Sequence, residues 1–215
     1  MKGINLKQPD DSLKDQNIIC FAGEDWWYHN PHSNKHIMES LAKNRRVLFV
    51  NSIGIRMPDF KNDKQAWKRV FSKLKSLLRY LRQPQPDLYV LTPVALPFFK
   101  GKEALIQKIN KHLLVWQLQF LIRLLRMGRP VYWVCVPTVY EAATALKKKT
   151  GGSLIYYCVD NISKFSGANQ DYIAKLDSEL HARSDKAFYV NTDLYEERKR
   201  TKPETYFWLF RVSSG

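Results

Sequence analysis

The stretch V-Y-W-V-C-V-P-T-V-Y-E-A-A-T-A-L-K-K-K-T-G-G-S-L-I-Y-Y-C-V-D-N, Val131 to Asn161, decides how the chain folds. It opens with a continuous apolar run rich in β-branched and aromatic residues, Val131 to Val136, and closes with a second, Ser153 to Val159. Runs of this length without polar alternation fit strands covered on both faces. Between them the pattern turns helical. Thr138 and Glu141 have the spacing of a capping box, the helix they would start runs toward Lys149, and Gly151-Gly152 would stop it. Strand, helix and strand in that order make a crossover between parallel strands.

Outward from this unit the alternation repeats. Further runs lie at Asn17 to Ala22, Arg46 to Asn51, Asp87 to Leu91, Lys186 to Val190 and Thr205 to Phe210. The predicted fold is therefore α/β, a doubly wound, Rossmann-like parallel sheet of about seven strands. Glu103 to Met127 places Leu105, Ile106, Ile109, Leu113, Trp116, Phe120, Leu121, Leu124 and Leu125 on a helical period and ends at Gly128 and Pro130. Its Gln117, Gln119, Arg123 and Arg126 are too polar for a bilayer span, so a largely buried helix is expected. Asp193 with Glu196 repeats the capping-box spacing, and Gln83 to Pro86, Q-P-Q-P, reads as a proline-marked break. Residues 1–16 form a polar tail without the apolar run of a signal peptide, ahead of a single domain over 17–215. Cys20, Cys135 and Cys158 sit in apolar segments without C-x-x-C spacing, which predicts buried reduced thiols in a cytoplasmic protein.

The chain carries 35 Lys and Arg against 20 Asp and Glu, a formal net charge of +15, so its partners are expected to be anionic. Much of that charge lies between Asp63 and Arg82. There Trp67, Val70, Phe71, Leu74, Leu77, Leu78 and Leu81 form one helical stripe, and Lys64, Lys68, Arg69, Lys73, Lys75, Arg79 and Arg82 occupy the other faces. This is either a crossover helix docked on the sheet with a solvated basic face, or a helix at an anionic membrane surface. The two are compatible if only the basic face meets headgroups. No zinc-finger, K-homology or RRM signature accompanies the charge, so nucleic acid is not an expected partner.

In doubly wound sheets ligands bind where the carboxyl ends of the strands converge. That rule selects Gly23, Glu24, Asp25, Trp26 and Trp27 after the first run, then Asn51, Ser52 and Arg56 after the second. It adds Pro137 and Thr138 after the fourth, and Asp160 and Asn161 after the fifth. Gly23 would let a ligand approach the backbone closely. The tryptophan pair either plugs the core or lines a cleft, and its place after the first strand favours the cleft, with one ring left for the core. Asp160 is either a general base or ligand-orienting carboxylate, or an ordinary aspartate capping a turn. The glycine fingerprint of dinucleotide-binding folds and the Walker loop are both absent, which counts against a nicotinamide-dependent enzyme. His29, His32 and His36 lack a completing cysteine or carboxylate, so no metal is expected. Glu179 and Asp185 read as helix-end structure.

Three stretches carry a family resemblance: Trp26 to Ser52, W-W-Y-H-N-P-H-S-N-K-H-I-M-E-S-L-A-K-N-R-R-V-L-F-V-N-S; Tyr156 to Ala168, Y-Y-C-V-D-N-I-S-K-F-S-G-A; and Ser178 to Arg200, S-E-L-H-A-R-S-D-K-A-F-Y-V-N-T-D-L-Y-E-E-R-K-R. With them the chain resembles the N-terminal half of a GT-B glycosyltransferase of the group acting in bacterial surface polysaccharide or teichuronic-acid-type synthesis. The resemblance implies transfer of a sugar from a nucleotide-sugar to a cell-surface glycan or lipid-linked acceptor held by this domain. The donor would be bound by a second Rossmann-like domain that this chain does not contain, so no cofactor is expected here. A donor-binding domain would then be supplied in trans to an incomplete enzyme placed peripherally on the cytoplasmic face of a membrane. Gly23 to Trp27, Asn51, Ser52, Arg56 and Asp160 would face the cleft between the domains. The alternative is a non-catalytic lipid- or partner-binding module with the same fold.

Overall fold

Pairing of apolar strands builds one eight-stranded sheet in the computed structural model, which describes residues 16–27, 33–52, 80–96, 101–159 and 170–208. The strands are β1 (Ile18–Phe21), β2 (Val47–Val50), β3 (Leu81–Gln85), β4 (Leu88–Leu91), β5 (Val131–Val134), β6 (Ser153–Cys158), β7 (Lys186–Tyr189) and β8 (Thr205–Phe207). Their order is β3-β4-β2-β1-β5-β6-β7-β8, and every pair is parallel except β3 with β4. The helices are α1 (Ser33–Leu41), α2 (Glu103–Leu124), α3 (Tyr140–Thr150), α4 (Gln170–Arg183) and α5 (Thr192–Lys199). The order reverses between β1 and β5, which opens a crevice at their carboxyl ends.

Alternate residues of each central strand point to opposite faces, and both faces are dry. Ile18, Cys20, Val47 and Phe49 pack with Ile37 and Met38 of α1. Ile19, Phe21, Leu48 and Val50 pack with Leu114 and Leu118 of α2, Leu146 of α3 and Leu180 of α4. This is why β1, β2 and β5 read as unbroken apolar runs. The three cysteines are buried thiols, none in a disulfide.

All seven expected strands are present, and the eighth corrects the sequence reading. Leu81 and Arg82, assigned above to a helix, and Gln83 to Gln85, assigned to a break, form an antiparallel strand with Leu81 opposite Leu91 and Gln85 opposite Leu88. Pro84 cannot donate a ladder bond, which confines such a strand to the sheet edge. The turn back uses Asp87 at φ 58, a left-handed conformation that aspartate tolerates better than most residues. Because β3 runs against β4, the chain leaves the carboxyl end of β2 and returns at the carboxyl end of β4. Ser52 N donates to Glu24 O, and Thr92 N donates to Tyr80 O. Residues 63–79, the bulk of the basic segment, lie outside the described residues, as do residues 1–15 of the polar tail.

Neither expected capping box caps its helix. Thr138 lies in a 3-10 turn, Pro137–Val139, and the residue before α3, Val139, makes no side-chain cap bond. At α5 the cap is Asn191, whose Oδ1 accepts from Asp193 N at 2.9 Å and Leu194 N at 3.1 Å. The stop after α3 is as read: Gly152 has φ 94, and a Cβ there would meet Pro130 O at 2.0 Å, so only glycine fits. The expectation that the helix after Glu103 is largely buried is only half met. α2 buries Ile106, Leu114, Leu118 and Leu121, but leaves Leu105, Ile109, Trp116, Phe120 and Leu124 exposed.

The β6–β8 side is held by a partly buried polar network. Tyr156 donates to Asp177, which pairs with Arg198 at 2.7 Å. His181 Nδ1 meets Tyr189 Oη at 2.9 Å, and its Nε2 meets Thr201 Oγ1 at 3.1 Å. Burial, then the charges of Arg198 and Lys202, push the His181 pKa down to about 4. A depressed histidine pKa gives stability that is complete above the unfolded value and is lost as pH falls toward the folded one. We predict that the stability advantage of the wild type over His181→Asn, measured by urea unfolding, shrinks by up to roughly 3 kcal/mol between neutral pH and pH about 4. An advantage that stays constant across that range would rule this out.

Candidate functional site

The loop after β1 is fixed by its neighbours. A Cβ on Gly23 would lie 2.8 Å from Val136 Cγ1, so this glycine lets the loops after β1 and β5 pack against one another. Asp25 Oδ1 accepts from Trp27 N at 2.9 Å and closes a tight turn. Trp26 is buried, edge-on to Phe49 at 4.9 Å between ring centroids, with Lys35 Nζ 4.8 Å from its ring centre. Trp27 is exposed, with the Arg82 guanidinium 5.1 Å from its ring centre. One ring is thus the plug and the other faces outward.

Asn51, at 1% exposure, joins three strand ends. Its Oδ1 accepts from Trp26 N at 3.0 Å, and its Nδ2 donates to Thr92 Oγ1 at 3.0 Å and to Asp25 Oδ2 at 3.4 Å. The side chains of Trp26 and Asn51, expected above to contact substrate, are engaged by the fold itself.

Beside these loops, on the α2 face of the sheet, lies a cavity of about 410 Å³. Its floor is apolar: Phe21, Ala22 and Val50 from the ends of β1 and β2, with Val136 and Val139 after β5. Its wall is the N-terminal half of α2, with Gln107, Lys108 and Lys111 on the lining side, and Glu141 of α3 and Tyr172 of α4 complete the rim. Lys111 Nζ pairs with Glu141 at 2.6 Å, and Gln107 Nε2 donates to Tyr172 Oη at 3.2 Å. Amide, hydroxyl and charged groups thus ring an apolar floor, an arrangement that can hold a polyhydroxylated or amphipathic ligand.

Of the residues selected from the sequence, Asn51, Ser52 and Thr138 line the cavity. Gly23, Glu24, Asp25, Trp26 and Trp27 border the neighbouring loop instead, and Pro137 is buried at the start of its turn. Arg56, Asp160 and Asn161 lie outside the described residues, as do Lys64, Lys68, Arg69, Lys73, Lys75, Arg79, His29 and His32. His36 sits on α1, 3.7 Å from Glu39, and no group of three metal-binding side chains occurs among the described residues. Gln107, Lys111, Glu141 and Tyr172 were not anticipated. The strand-end rule selects loops, whereas these four stand on helices.

No family model and no curated protein sequence matches the chain. Among solved structures, sucrose-phosphate synthase from Thermosynechococcus elongatus superposes with a TM-score of 0.57 at 11% identity, covering 89% of this chain and 47% of that one. The fold is that of a Rossmann-like GT-B domain. A second chain of the same enzyme gives a TM-score of 0.52 at 10% identity, covering 89% of this chain and 87% of that one. This chain spans about half the length of the first of these structures, 47%. No helix among the described residues is long and apolar enough to cross a membrane.

Asn51→Ala would orphan the Trp26 amide and is predicted to lower stability by about 1–3 kcal/mol. Ser52→Ala and Thr138→Ala, on the cavity rim, should stay within about 0.5 kcal/mol of wild type. Chemical denaturation of the three variants checks both statements, and equal losses at all three would refute the distinction.

Proposed function

We propose that this chain is the acceptor-binding half of a glycosyltransferase and that the cavity at the carboxyl ends of β1, β2 and β5 receives the acceptor. The observation that carries the reading is the position of that cavity: it sits where the strand order reverses, with a polar rim over an apolar floor. The likeness in fold to a sugar-transferring enzyme supports it. Sugar hydroxyls would bond to Ser52, Gln107 and Thr138 and to the Lys111–Glu141 pair, and Lys108 would meet a phosphate on the acceptor. A nucleotide-sugar donor would be held by a second Rossmann-like domain. The acceptor class we favour is a cell-surface glycan or its lipid-linked precursor, as in teichuronic-acid-type synthesis. Arg56 follows β2, whose end lines the cavity, and Asp160, which with Asn161 follows β6, is our candidate for the base that takes the acceptor hydroxyl proton.

A second reading, a non-catalytic lipid- or partner-binding module, draws on the exposed apolar side of α2. Titration calorimetry of the intact chain with lipid-linked sugars separates the two. The glycosyltransferase reading predicts binding that free acceptor sugar competes away and that falls at least about tenfold in Gln107→Ala/Lys108→Ala. Binding indifferent to free sugar would select the module, and no binding would end the acceptor reading.

A further inference from the structure

We propose that α2 docks this protein on an anionic lipid surface, with its exposed apolar stripe entering the interface. Leu105, Ile109, Trp116, Phe120 and Leu124 are 57%, 40%, 65%, 56% and 58% exposed. At 3.6 residues per turn they fall within an arc of roughly 100° along about 28 Å of helix. Trp116 and Phe120 stack on one another, ring centroids 6.4 Å apart, and Leu96 extends the stripe at 40% exposure. Large apolar groups gathered in this way mark an interaction surface.

The fold leaves this stripe open. The segment after β4 runs along one flank of α2, where Val94 and Leu96 each exchange two hydrogen bonds with Gln117 and Asn110. Those bonds hold the segment beside the stripe and leave the stripe itself uncovered. Along the other flank lie Lys108 and His112, with Lys102 and Arg123 toward the two ends, all exposed, and the helix itself contains a single acid, Glu103.

Charge selects the occupant. A second copy of this chain would bring two cationic flanks together, each from a protein of formal net charge +15. The basic segment of residues 63–79 would do the same within one molecule. An anionic bilayer meets both requirements at once, taking the apolar stripe into its interface and the cations among its headgroups. α2 has the composition for this orientation and is too polar to cross. Docking does not depend on the proposed function. If that reading also holds, the adjacent face of the same helix, carrying Gln107, Lys108 and Lys111, would present the cavity to an acceptor still anchored in the membrane.

The test is cosedimentation of the full chain with vesicles of equal parts phosphatidylcholine and phosphatidylglycerol, against phosphatidylcholine alone. Binding is expected only to the mixed vesicles. Trp116→Gln/Phe120→Gln should weaken it at least about tenfold without lowering the melting temperature, since neither ring is in the core. As a second measurement, brominated lipid should quench wild-type tryptophan fluorescence, and Trp116→Phe should lose most of that quenching. Equal binding to neutral vesicles, or unchanged binding by the double variant, would overturn the proposal. So would a fall of several degrees in melting temperature, which would mean that the chain itself covers the stripe. A change in the sedimenting mass of the double variant would assign the stripe to a second copy instead.

Discussion

One buried amide organises the working edge of this molecule. Asn51 stands at the end of β2 and reaches the loop after β1 through Trp26 and Asp25, and the segment after β4 through Thr92. Parallel strands finish with unpaired backbone groups, and a side chain that both donates and accepts can tie several such ends without lengthening the sheet. With Asn51 in place Trp26 is drawn onto Phe49, Trp27 is turned outward, and the cavity has a fixed floor. A buried amide of this kind holds in place the loops that border the site.

The antiparallel edge strand has an equally wide effect. β3 starts at the carboxyl edge of the sheet, the edge at which β2 ends and where ligands bind. It also carries Arg82 to the face of Trp27, joining the exposed tryptophan to the edge of the sheet.

The sequence made the fold legible wherever burial was complete on both faces. β1, β2, β5 and β6 were readable because no position in them meets water apart from the first residue of β6. β3 was not, because L-R-Q-P-Q has neither apolar run nor alternation and is a strand only through the bonds that β4 offers. The cap at α3 was misread because Pro137 begins a 3-10 turn that takes up the positions a capping box needs, leaving Glu141 for Lys111. At the site, strand ends were readable and helix walls were not. Gln107 and Lys111 stand four apart on α2, a polar pair within an apolar pattern, and their meaning depends on Tyr172 and Glu141, which come from helices far along the chain. Which tryptophan would be buried could not be read from two adjacent identical residues. The partners Phe49 and Asn51 decide it.

The Lys111–Glu141 pair also sets how fast the cavity can exchange its contents. Both side chains are partly exposed, and contacts of that kind hold by only about 0–1 kcal/mol, close to thermal energy. The Gln107–Tyr172 bond beside it is exposed as well. The floor, by contrast, rests on strands buried from both sides. The cavity is therefore a rigid basin under a rim that opens and recloses within ordinary side-chain fluctuation, on the picosecond to nanosecond scale, so that a ligand can enter without any movement of the backbone.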